Sequence, residues 1–172
     1  NADAKRKELI EAVAAMTQGG KLPVIIDALS CTYRTLAGNK SLTEKVEIVD
    51  MVDFIHDKLL DKLTISRKKP AVALHLGCSA RKMKIEPKMQ AIVDACSTQV
   101  IRPAGIDCCG YAGEKGLYKP EINASALRNI KKLIPVDVKE GYYANRMCEV
   151  GLTQHSGVSY RHLAYLLEEC TR

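Results

Sequence analysis

The sequence has no tryptophan and a single phenylalanine, Phe54, and aromatic side chains make up 5% of its 172 residues. Proteins that grip single-stranded nucleic acid interleave rings with basic side chains, because each base stacks on a ring. The one dense basic cluster here, Arg67-Lys68-Lys69, has no ring beside it and reads as a solvated linker, so no nucleic-acid partner is expected. No stretch approaches the roughly 20 apolar residues needed to cross a bilayer. The first residues, Asn-Ala-Asp-Ala-Lys-Arg-Lys, lack a signal peptide's apolar stretch. An initiator methionine is missing too, so residues 1–2 are expected to be an expression-tag remnant on a C-terminal fragment of a longer protein. Gly-x-Ser-x-Gly, phosphate-loop and Gly-x-Gly-x-x-Gly patterns are also absent. Any flavin or nicotinamide is therefore held elsewhere.

What is present suits one domain, residues 3–172, with 47% hydrophobic residues concentrated in Ala, Val, Ile and Leu. The net charge of +6 is spread along the chain and suits an acidic protein partner or an anionic membrane surface equally well. Seven cysteines without an export signal argue against a disulfide framework. Reduced thiols in a cytoplasmic setting more often serve metal or redox chemistry.

Apolar spacing predicts helices over 4–18, 49–63, 88–96, 121–134 and 159–170, with a capping box at Ser41-Leu-Thr-Glu44. Short apolar runs predict strands over 22–27, 71–76, 99–102 and 141–144. Alternating helix and strand means α/β with a largely parallel sheet. The order helix, strand, then a cysteine opening the next helical stretch occurs twice, ending at Cys31 and at Cys148. Pseudo-repeated units follow: an incomplete first half over about 3–66 and a complete second over about 67–172.

Cys108 and Cys109 are adjacent and followed by Gly110. In a strand neighbouring side chains point to opposite faces, but a glycine-permitted turn can aim both sulfurs at one point. Cys78 and Cys148 each follow a strand, near a helix start where free N–H groups donate to sulfur. Four thiolates gathered in loops beyond the strand ends suit an iron–sulfur cluster or zinc. A metal-free thiol–disulfide pair at 108 and 109 is the third possibility. Nearby cations (Arg81, Lys82, Lys115, Arg146) favour thiolates. His75, three residues before Cys78, either faces the core or reaches a metal. His155, in Gln154-His-Ser-Gly157, is expected in a loop close behind Cys148 and is a candidate for a supporting role. Cys96 and Cys170 read as core residues on apolar helix faces, and His56 and His162 as helix surface.

These motifs resemble the cysteine-rich domain named for its Cys-Cys-Gly motif. It occurs in heterodisulfide reductases, the glycolate oxidase iron–sulfur subunit and FAD-linked D-lactate dehydrogenases. The likeness to the last group is carried by Leu74–Met83, by Cys108–Gly116 through Glu121, and by Cys148–Gly157, with Asp27-Ala-Leu-Ser-Cys31 as an echo. The resemblance implies a [4Fe–4S]-type cluster on Cys78, Cys108, Cys109 and Cys148. The rival reading is a structural or docking domain that binds zinc through the same cysteines, and zinc could also replace a lost cluster. It also implies upstream FAD and ferredoxin-like domains, a quinone or cytochrome acceptor, and a cytoplasmic location, at the inner membrane face if in peripheral contact. Oxidation of a D-2-hydroxy acid would belong to the whole enzyme, with this fragment alone inactive. The wider pattern ends in Cys-x-x-Cys; here Asn145 and Ala28 stand at the first positions, leaving four thiolates beside Asn145 and a lone Cys31 beside Ala28.

Overall fold

A computed structural model of the chain describes residues 2–37 and 46–172. The capping box predicted at 41–44 and residue 1 of the expected tag remnant lie outside them. Helix α1 (Ala2–Met16) ends where Gln18, Gly19 and Gly20 all take positive φ, the left-handed stop that glycine permits. Strand β1 (Val24–Ile26) leads into α2 (Leu29–Leu36), and β2 (Ile48–Asp50) into α3 (Met51–Phe54). A π turn (Ile55–Leu59) and a 3-10 turn (Leu60–Lys62) continue α3. Then come β3 (Val72–Leu74), α4 (Cys78–Met83), α5 (Glu86–Cys96) and β4 (Val100–Ile101). The chain closes with α6 (Lys115–Tyr118), α7 (Pro120–Leu127), α8 (Ile130–Leu133), β5 (Glu140–Tyr143), α9 (Arg146–Ser156), β6 (Ser159–His162) and α10 (Leu163–Thr171).

The fold is α/β, and every strand pairing among the described residues is parallel. The strands divide into two sheets: four strands in the order β4-β3-β5-β6, and the pair β1-β2. Strand β3 is buried at every position, and Tyr142 and Tyr143 of β5 are buried beside it, as parallel strands covered on both faces require. Gly141 of β5 is there for space: a Cβ would stand 2.7 Å from the Tyr160 ring on β6.

Three of the expected elements come out differently. The single helix expected over 49–63 starts as strand β2, and the one over 159–170 starts as strand β6. Both strands are only three or four residues long and run straight into a helix, so helical spacing swallows them. In each, the last strand residue turns and caps. Asp50 accepts from Val52 N (2.9 Å) and His162 Nδ1 accepts from Ala164 N (3.1 Å). His162 is therefore a cap with its Nε2 buried, not helix surface. The third difference is the helix expected over 121–134, which breaks at Arg128-Asn129 into α7 and α8. With β2 and β6 in place, the order strand, cysteine-bearing helix, strand, capped helix occurs twice: β1-α2-β2-α3 and β5-α9-β6-α10.

The basic cluster is no mere solvated linker. Lys69 pairs with Glu140 (2.9 Å) and Glu169 (2.8 Å), Arg67 Nε donates to Glu169 O, and Lys68 Nζ donates to Asp94 O. It ties residues 67–69 to α10, β5 and α5. Cys96 and Cys170 are fully buried, as expected of core residues.

Candidate metal centre

Each candidate cysteine reaches the site from the carboxyl end of a parallel strand, where open α/β sheets build their sites. Cys78 is the first residue of α4, delivered by β3. Cys108 and Cys109 lie in the loop after β4. Cys148 lies in the first turn of α9, delivered by β5. Cys78 and Cys108 are exposed, Cys109 is buried and Cys148 is half-buried; all are free thiols.

The four meet as a string. Cys109 Sγ lies 2.9 Å from Cys148 Sγ, Cys108 contacts Cys109, and Cys78 contacts Cys108. No group of three or more His, Cys, Asp and Glu side chains among the described residues is arranged around a single ion. Contact with Cys109, then burial, pushes the Cys108 thiol well above its ordinary range. At Cys109 the contact with Cys108 pulls the other way. Contact with Cys148 and burial outweigh it, leaving that thiol at about 12. Crowded sulfurs cannot all carry charge unless a cation joins them.

The backbone of the double-cysteine loop is built for this crowding. Gly110 takes φ +71, and a Cβ there would stand 2.7 Å from Ile122 O and from Ala126 Cβ on α7. The loop thus lies flat on α7, which only glycine allows. From that position Gly110 N donates to Cys108 Sγ (3.4 Å), and the Tyr111 amide donates to Cys109. Asn123, buried on α7, donates its amide to Cys109 O. Arg81 of α4 reaches Asp107, beside Cys108, at 2.6 Å and Glu86 at 3.3 Å. Its charge is spent clamping the Cys78 helix to the Cys108 loop as much as it is available to the sulfurs.

Of the supporting residues expected from the sequence, His75 is buried, with Nε2 lacking a hydrogen-bond partner. Burial, then the nearby Arg81, holds its pKa down at about 4, so the ring is neutral. Asn145 caps α9 and donates its side-chain amide to Ser30 Oγ (2.7 Å). It stitches the Cys148 loop to the Cys31 loop, which Leu29 N→Ala144 O (3.1 Å) reinforces. Cys31 is exposed in the first turn of α2. His155 is not in a loop: it lies in the last turn of α9. Two helical turns, about 10 Å of rise, separate it from Cys148. Arg146 is largely exposed and pairs with Glu149 (3.5 Å), and Lys82 lies over the Tyr33 ring at 5.4 Å.

One central residue escaped sequence reasoning. Tyr143 is fully buried, and its hydroxyl feels all four cysteines; burial first, then those sulfurs, pushes its pKa above the ordinary tyrosine range. Its ring meets His75 edge-on at 4.9 Å. Gly77, just before Cys78, leaves the room, since a Cβ would stand 2.6 Å from the Tyr143 hydroxyl and 2.8 Å from His75 Nε2. Strand alternation could have shown that Tyr142 or Tyr143 faces this end of the sheet, but not which.

The string of thiols, the backbone donors and the buried hydroxyl together make a cysteine-rich site. Residues 72–152, which hold all four cysteines, match the family described as the CCG cysteine-rich domain, a kind of domain typical of iron–sulfur binding. No curated protein matches the chain. No helix among the described residues is long and apolar enough to cross a membrane.

Proposed function

We propose that this chain is the iron–sulfur, electron-relaying domain of an FAD-dependent D-2-hydroxy acid dehydrogenase, with D-lactate as the substrate of the whole enzyme. The observation that carries the reading is the string of four thiols from three loops, inside the segment that matches the cysteine-rich family. Cys78, Cys108, Cys109 and Cys148 would hold a [4Fe–4S]-type cluster. When bound, such a cluster supplies one-electron redox chemistry at a potential the protein sets. A [4Fe–4S] core gives each of the four thiolates its own iron, whereas zinc gathers all four around one ion in a closed tetrahedron.

The chain's own part is to hold and shield. Gly110 and Asn123 pin the double-cysteine loop on α7. Arg81 and Asp107 clamp it to the Cys78 helix, and the amides of Gly110 and Tyr111 point at sulfur. Cys78 and Cys108 remain on the open side, where electrons from a flavin domain upstream would arrive and leave for a quinone or cytochrome. That assembly, with ferredoxin-like domains between, would work in the cytoplasm or at the inner membrane face. The half-repeat boundaries near residue 66 belong to the same proposal.

Anaerobic reconstitution with iron and sulfide tests the site. The expected result is a brown protein whose bands bleach with dithionite, and loss of its EPR signal in both Cys108→Ser and Cys148→Ser. A colourless protein with stoichiometric zinc, or signals intact in both variants, overturns the cluster. In the full-length flavoprotein D-lactate should reduce the centre within a turnover. A centre left oxidised while flavin is reduced overturns the relay.

A further inference from the structure

The end of β5 carries an inference that rests on the iron–sulfur reading and takes it further. A phenylalanine at 143 would fill the same buried space and make the same edge-on contact with His75. The hydroxyl adds nothing to apolar packing, and a buried hydroxyl is costly unless it has a partner. It lies beside Gly77, the residue just before Cys78, where a Cβ would stand 2.6 Å from it, and among the described residues it makes no hydrogen bond to a cysteine sulfur as the site stands. The neighbouring polar atom, His75 Nε2, is itself buried and without a partner. Two polar groups thus converge beside Gly77, at the base of the cysteine string, and the one residue between them lacks a side chain.

The geometry points to Tyr143 as a hydrogen-bond donor to sulfur of the metal centre, raising its reduction potential, with His75 as the positioning residue that holds the ring edge-on. Thiolate and sulfide sulfur only accept, so the phenol O–H must donate. Reduction adds negative charge to the centre, and a fixed donor favours the more electron-rich state. Gly77 is part of the device, because any side chain there would displace the oxygen from its place beside Cys78.

The test is an EPR-monitored redox titration of the reconstituted chain, comparing wild type with Tyr143→Phe and with 3-fluorotyrosine placed at 143. Iron and sulfide contents are measured on each sample. Tyr143→Phe should keep its iron and shift the reduction equilibrium toward the oxidised form by about tenfold, about 59 mV downward for one electron. The fluorinated ring, a stronger donor of the same shape, should shift it upward. His75→Phe should move it downward by less. If Tyr143→Phe keeps full iron content at an unchanged potential, the donor assignment falls and the cluster reading stands. If Tyr143→Phe cannot take up iron, the fluorinated protein decides, and an unchanged potential there overturns the assignment. A wild-type chain that takes up no iron overturns both together.

Discussion

Two stretches of this protein share one local design and come to different ends. In β1-α2-β2 and in β5-α9-β6 a buried or half-buried strand delivers a cysteine to the first turn of a helix, and the next strand ends in a residue that caps the helix after it. The surroundings differ. Strand β5 lies between β3 and β6, with Tyr142 and Tyr143 fully buried. Strand β1 pairs, among the described residues, only with β2, and its Ile25 is 37% exposed. Cys148 finds three sulfurs brought by the loops after β3 and β4; Cys31 faces solvent. A strand-to-helix junction sets a thiol in place but does not make a site. The neighbouring strands do.

The sharpest way to break this comparison is at the two cysteines. Cys148→Ser should abolish iron uptake, whereas Cys31→Ser should leave iron content unchanged; equal losses would make the two stretches functionally alike. Next come the glycines, both with positive φ. Gly110→Ala meets the α7 backbone and should cost about 3 kcal/mol or more, combining left-handed strain with overpacking. Gly19→Ala, with nothing within 4 Å, should cost about 1 kcal/mol. Urea midpoints at constant slope would report both.

The caps sharpen the likeness instead. Asp50→Ala removes a helix cap and the partner of the buried Thr32 hydroxyl (2.6 Å), and should cost about 2 kcal/mol. His162→Ala, losing a cap alone, should cost about 1 kcal/mol. Reversal of that order would mean the β2 junction is the weaker one.

The smallest effect concerns pH. Hydrogen bonds from Arg161 and then Lys69 hold Glu169 below its usual 4.5. A carboxylate depressed in the folded state stabilises above the unfolded value, and that stabilisation is lost as pH falls through the folded one. Melting temperature should therefore drop below about pH 4.5, and less steeply in Glu169→Gln. Because the pair is partly solvated, the share of this one group should stay under about 1 kcal/mol.

Cys78, the Cys108-Cys109-Gly110 run and Cys148 were legible as candidates, because adjacent cysteines beside glycine have few packing explanations and the other two each follow a strand. The strands β2 and β6 were not, since three or four residues without a clean alternation cannot outweigh the helical spacing that follows them. The basic run Arg67-Lys68-Lys69 was misjudged for a related reason: its acidic partners, Glu140 and Glu169, lie far along the chain. His155 was expected in a loop, whereas the helix runs on through it to Ser156, with Gly157 as the left-handed cap just past its end.

Residue type and spacing alone determined the α/β class, the parallel pairing and which sulfurs were candidates, because those follow from side-chain period and thiol chemistry within short windows. Only the tertiary structure decided that the sulfurs form one string, that Asn145 serves the seam with Ser30, and that Tyr143, not Tyr142, meets His75 and Gly77 beside Cys78. Those outcomes depend on which distant loops the sheet order places side by side, and no local preference of the chain encodes that.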